Sequence, residues 1–98
     1  MIEFDPQSLA FMKKNHGQLT AKLTCTLLAE KQVLVLNHIF INPAADQPSN
    51  QLSLALVQAA IEYAQTKHLH LWPLGPAAIA ACNRIPAAQA LWYHKPLK

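Results

Sequence analysis

The stretch LNHIFINPAADQPSNQLSLALVQAAIEYA, Leu36–Ala64, constrains this chain more than any other. It reads as the end of an apolar strand, a turn rich in Pro, Asp, Ser and Asn, and then an amphipathic helix. Strand, loop and helix N-terminus together form a geometry suited to phosphate, because the first helical turn leaves backbone N–H groups unpaired and carries partial positive charge. What the chain can bind therefore depends on the loop between Pro43 and Ser53. That loop has no glycine, and the whole chain has only Gly17 and Gly75.

Before this stretch the pattern is that of strands. Glu3–Lys14 holds a weak strand pattern broken at Asp5-Pro6, and Asn15-His16-Gly17 is a turn signal. From Leu19 to Leu27, Leu19, Ala21, Leu23, Cys25 and Leu27 alternate with Thr20, Lys22, Thr24 and Thr26. Such alternation predicts an antiparallel strand with one wet face. Val33–Ile41 is apolar on both faces, which suits a strand inside a sheet, although the polar pair Asn37-His38 has to find partners there. Strict alternation places Asn37 on the face opposite His38.

After the loop, Leu52, Leu56, Ala60, Tyr63 and Ala64 form one helical stripe, which Thr66-Lys67 ends. Leu69–Leu74 predicts a short strand parallel to Val33–Ile41, joined to it by a right-handed crossover. Pro76 suits the first turn of a second helix that runs to about Arg84, and Pro86 stops it. A strand meander followed by helix, strand and helix predicts an α+β sheet with helices packed on it.

Composition narrows the function classes. At 98 residues, 52% hydrophobic and 13% charged, the sequence predicts one globular domain. Its net charge of +3 is scattered over seven lysines and Arg84, a pattern that disfavours a nucleic-acid partner. No apolar run reaches membrane-spanning length and the start, MIEFDPQ, carries acids, so no membrane association and a cytoplasmic location are expected. Cys25 and Cys82 stand in no metal or redox spacing.

The segments His38-Ile39-Phe40-Ile41-Asn42-Pro43, ALVQAAIEYA and LHLWPLG, with the spacing from Gly75 to Pro86, resemble a short branch of the GNAT superfamily. The resemblance covers roughly Val33 to Pro86. It implies a GNAT-like α+β fold, a three-layer α/β/α arrangement, and an N-acetyltransferase that moves an acetyl group from acetyl-CoA to a small-molecule or peptide amine. Where the family has Arg-Gly-x-Gly, this chain has Pro48-Ser49-Asn50-Gln51; its Thr is Ile39 and its Cys is Gly75.

Those departures bear on the cofactor. A non-glycine residue in left-handed geometry costs about 1–2 kcal/mol, and Pro48 contributes no N–H. Asp46, if it caps the helix, would repel a phosphate about 5 Å away by about 3 kcal/mol at an effective dielectric near 20. The plain alternative for this loop is a capped helix start, with Asp46 or Ser49 as N-cap and Pro48 in the first turn. A non-catalytic binding or dimerisation module is the rival reading of the whole chain.

By the resemblance, the pantetheine arm of coenzyme A would follow Ile39, Phe40 and Ile41. Its diphosphate would meet Ser49, Asn50, Gln51, Leu52 and Ser53. His38 is the candidate general base; its alternative is a buried, hydrogen-bonded core histidine. Tyr93 is the candidate proton donor to the departing thiolate, its alternative being a packing residue. Cys82 reads as core. His68 and His70, taken to share a strand face, lack a third ligand, so no metal site is expected. An acceptor pocket in so short a chain would be open or completed by a second subunit, as in a homodimer.

Overall fold

The computed structural model describes residues 2–45 and 48–93. Its elements are β1 (Ile2–Asp5), β2 (Ala10–Asn15), β3 (Gln18–Leu28), β4 (Val33–Ile41), α1 (Ser49–Lys67), β5 (His70–Pro73), α2 (Pro76–Arg84) and α3 (Pro86–Leu91). The five strands lie in one sheet in chain order. β1 to β4 form an antiparallel meander, and β5 joins β4 in parallel after the α1 crossover, as the sequence pattern predicts.

Local chemistry explains the turns. Asp5 closes the first hairpin by accepting the Gln7 N–H at 3.0 Å and the Ser8 hydroxyl at 2.9 Å. These bonds, that to Ser8 foremost, hold the Asp5 carboxyl below its usual range. Gly17 takes φ +79° in the second hairpin, where a side chain would be strained. α1 ends at His68, a non-glycine residue in the left-handed region at φ 59°, and Leu69 N–H closes back on the Ala64 carbonyl at 2.8 Å.

One apolar cluster joins the sheet to all three helices. Phe11, Leu23 and Leu36 from the strands meet Leu56 and Ile61 of α1, Cys82 of α2 and Ala88 of α3. The buried stripe of α1 is wider than the predicted one, adding Ser53, Val57 and Ile61 to Leu52, Leu56, Ala60 and Ala64. α1 and α2 pack against each other as well as against β4. The α+β class stands, but the second helical layer of a three-layer arrangement is not found among the described residues. Residues Ile2 to Ile41 are spent on strands and turns, so every described helix follows the meander and shares one face. The smallest extent of the molecule, 18 Å, fits a sheet with one helical layer; a second would add about 10 Å. The other sheet face carries no helix among the described residues; Val33 and Val35 are buried on it, while His38, Phe40 and His70 are exposed.

Candidate active site

The site begins with an irregularity in β4. Thr24 of β3 pairs with His38 and Cys25 pairs with Leu36, so Asn37 is an extra residue, a β-bulge. The bulge breaks strict alternation. Asn37 Nδ2 donates to Thr26 Oγ1 at 2.7 Å, on the open face, and the Thr24 hydroxyl donates to the His38 carbonyl at 3.3 Å. Asn37 and His38 therefore lie on the same face, contrary to the period-two expectation. His38 is exposed, which removes the buried-histidine alternative. The same shift returns Ile39 to the core side, at 9% exposure.

The strand beside this bulge turns away. Pairing of β4 with β5 runs from Val33 to Leu36, and the Leu74 N–H reaches the Leu36 carbonyl at 3.0 Å. The chain then passes Gly75 and enters α2. A Cβ on Gly75 would stand 2.9 Å from the Asn37 carbonyl oxygen, so this position needs glycine for close approach rather than for unusual φ. Among the described residues, no strand pairs with the outer edge of β4 beyond Leu36. Asn42 N–H donates to the Thr20 carbonyl at 2.8 Å, so the even positions 38, 40 and 42 turn their backbone groups toward β3. Ile39 and Ile41 turn theirs toward the vacant edge, as a bound chain of amides would require.

The strand leads into the start of α1. Asn42, a residue the sequence reading passed over, pins the connection: its Nδ2 donates to the Leu19 carbonyl at 2.9 Å and its Oδ1 accepts the Ala44 N–H at 2.9 Å. No described residue from Pro43 to Ser53 has positive φ. Pro48 is the N-cap, in extended geometry at ψ 142°, and no side chain caps the helix. Ser49 is thus inside the helix, not its cap, and Pro48 precedes the first turn; Asp46 lies outside the described residues. The N–H groups of Gln51 and Leu52 both reach the Pro48 carbonyl, at 3.1 and 3.2 Å. Leu52 also buries its side chain. Ser49 and Asn50, both exposed, hold the leading N–H groups of the turn.

This helix start opens on a cleft of about 220 Å³ between α1 and α2. Ser49, Asn50 and Ser53 face Ala77, Ala80 and Arg84 across it. Sequence reasoning missed Arg84, because its position in the last turn of another helix gives no local sign of the pairing. A wider recess of about 560 Å³ lies between the β2–β3 turn and the residues after β4, lined by Lys13, Lys14, His16 and Asn42 among others. It includes neither the vacant β4 edge nor α1.

The remaining candidates stand apart. Tyr93 donates its N–H to the Leu71 carbonyl at 2.6 Å, and its ring lies 5.5 Å from Trp72 and 6.3 Å from His70. Trp72 and His70 pair with Val35 and Val33, so Tyr93 sits along the closed half of β4, away from His38. Burial pushes the Cys82 thiol up to about 11 and the Cys25 thiol to about 12, so neither is an anionic nucleophile at neutral pH. His68 caps α1 while His70 lies in β5, so they share no strand face. Among the described residues, no three His, Cys, Asp or Glu side chains gather as metal ligands, and no helix is long and apolar enough to cross a membrane.

No protein-family profile matches the sequence, and no curated protein matches it. Solved structures do match the fold. A GCN5-like protein from Staphylococcus aureus, proposed to be an N-acetyltransferase and solved in solution, superposes with a TM-score of 0.71 at 15% identity, covering 100% of this chain and 90% of that one. The crystal structure of nourseothricin acetyltransferase gives a TM-score of 0.59 at 24% identity, covering 82% of this chain and 49% of that one. The bulged β4, the parallel β5 that leaves it and the helix between them thus belong to a fold that this chain shares with these two structures.

Proposed function

We propose that this chain is an acetyl-CoA-dependent N-acetyltransferase acting on an amine. One observation carries the reading: the vacant edge of β4 at Ile39–Ile41 leads into an α1 N-terminus that no described side chain caps and that has no acid in its first turn. A backbone edge that pairs with amides, followed by free N–H groups beside a cleft, fits an elongated ligand with an amide arm and a diphosphate. The non-catalytic alternative would be supported by Asp46 as the helix cap, and Asp46 lies outside the described residues.

Bound acetyl-CoA supplies the activated acyl thioester. Ile39 and Ile41 would orient its arm through their outward backbone groups, and Ser49, Asn50 and Ser53 would meet its phosphates. His38, exposed beside the point where β4 and β5 part, would take the proton from the incoming amine. Backbone N–H groups of the vacant edge would steady charge that develops on the carbonyl oxygen. Tyr93 is the proposed proton donor to the thiolate, and its place beside Trp72 requires the thioester sulfur to lie toward β5. The amine would approach over the open sheet face. That face has no helical cover among the described residues, so a second copy of the chain is the proposed wall of the acceptor site.

Calorimetric titration with acetyl-CoA and with coenzyme A tests this. Micromolar binding of both supports it. Absence of heat and of any thermal shift at millimolar ligand overturns it and leaves the fold as a scaffold.

A further inference from the structure

We propose that the recess between the β2–β3 turn and the residues after β4 is a binding site for a small molecule that carries an oxyanion, a carboxylate or a phosphate. It lies on the β3 side of β4, apart from the vacant edge and from α1, so the proposal holds whether or not the chain uses acetyl-CoA. Its volume, about 560 Å³, is that of a small-molecule site. Lys13, Lys14 and His16 line it, and no Asp or Glu does.

A regular strand would not bring both lysines to one recess, because adjacent residues point to opposite faces. Here Lys13 pairs with Ala21 and Lys14 with Leu19, so Thr20 is an extra residue in β3 and the ladder bulges between the two lysines. Such a bulge twists the strands locally and re-aims their side chains. Thr20 itself is 9% exposed and forms part of the wall. The turn adds His16 to the lining. Its two central residues, His16 at φ 54° and Gly17 at φ 79°, both have the positive φ of a tight hairpin. Asn42 fixes the other wall, held by its side-chain bonds to the Leu19 carbonyl and the Ala44 N–H and by its own N–H on the Thr20 carbonyl. The recess is thus framed by anchored backbone.

Neither lysine meets an acid across the ladder. Lys13 stands between Ile2 and Ala21, and Lys14 stands beside Leu19. Lys22, in the same hairpin, differs: Glu3 shares its row through Met12, and it does not line the recess. Two ammonium groups that share a recess without an acid repel each other, and an anion between them removes that cost. Each offers donors and no acceptor, so the group that fits is one that only accepts. That is the chemistry of an ionised carboxylate or phosphate.

The test is NMR of the isotope-labelled chain, titrated separately with inorganic phosphate, pyrophosphate and citrate at constant ionic strength. Expected are saturable backbone amide shifts at residues 13–20 and 42–45. Saturation by the phosphates alone makes the ligand a phosphate, and saturation by citrate alone makes it a carboxylate. Lys14 is exposed, so Lys14→Gln leaves the core intact. It should weaken the probe that binds by about fivefold or more, as for a lost charge-assisted bond. Lys22→Gln, outside the recess, should leave affinity within about twofold of wild type. No saturable shift in wild type at millimolar probe overturns the proposal. Unchanged affinity in Lys14→Gln takes the lysine pair out of the site and also overturns it. So does an equal loss in both variants, which would reduce the effect to the general field of the hairpin.

Discussion

The two halves of β4 contrast within one strand. Val33–Leu36 is paired on both edges and buried on both faces, with exposures from 0% to 5%. Asn37–Ile41 is paired on one edge only, carries a bulge and exposes His38 and Phe40. The first half holds the sheet to the helices. The second has given up a neighbour strand and regular alternation, and it is where the proposed chemistry lies. Mutations should therefore separate stability from activity at the bulge.

The largest effect is expected in the closed half. Leu34, 1% exposed and part of the central cluster, should lose about 2–5 kcal/mol on Leu34→Ala, read from denaturant unfolding. A loss below 1 kcal/mol would mean that the closed half is not the mechanical base of the sheet. In the open half, His38→Gln should leave stability within about 0.5 kcal/mol of wild type. Its acetyl transfer, once an acceptor amine is found, should fall by about 10²-fold. An equal fall in stability would remove the distinction between the halves.

At the junction, Gly75→Ala drives a Cβ to within 2.9 Å of the Asn37 carbonyl oxygen, and a cost of about 1–3 kcal/mol is expected. It should also weaken coenzyme A, because moving Asn37 or α2 alters both the edge and the cleft. Unchanged melting and binding would show that the parting point is looser than its contacts suggest.

The smallest effect is expected from the thiols, which lie in the closed region. Burial raises Cys82 to about 11 and Cys25 to about 12 from an ordinary value of 9.0, so folding favours the neutral form. Their contribution to stability is complete below pH 9 and is lost as pH rises from 9 toward 11 and 12. Thiol-reagent kinetics should show slow labelling in the native protein below pH 9 and fast labelling in denaturant. Fast native labelling of Cys82 would mean that the helix layer opens near the cleft.

Most of this fold was legible because it follows local rules. Alternation from Leu19 to Leu27 marked β3, the doubly apolar Val33–Ile41 marked an interior strand, and Pro76 and Pro86 marked the start and the stop of α2. The bulge was not legible as such. Its trace was the polar pair in an apolar strand, and a period-two reading cannot accommodate an extra residue, so Asn37 was assigned to the wrong face. Gly75 shows the same limit: it reads as a missing cysteine, whereas the close approach to Asn37 gives it a steric reason. Arg84 was hidden because helix-to-helix juxtaposition leaves no mark on either segment alone. The number of helical layers depended on how the early residues were spent, which pattern alone did not decide.

The unpaired edge of β4 also matters for how copies of this chain meet. A row of free N–H and C=O groups invites another strand, and sheets left so exposed are prone to edge-to-edge association. Elsewhere the sheet limits that risk. β1 is four residues long and carries Glu3 and Asp5, and the chain returns at Trp92 to bridge Leu71 on the outer side of β5. The vacant edge is thus confined to the segment from the bulge to Ile41, bounded by the turn into α2 and the start of α1. A ligand that fills it would act as a chaperone for its own site, and the protein stored without one should be the form more inclined to aggregate.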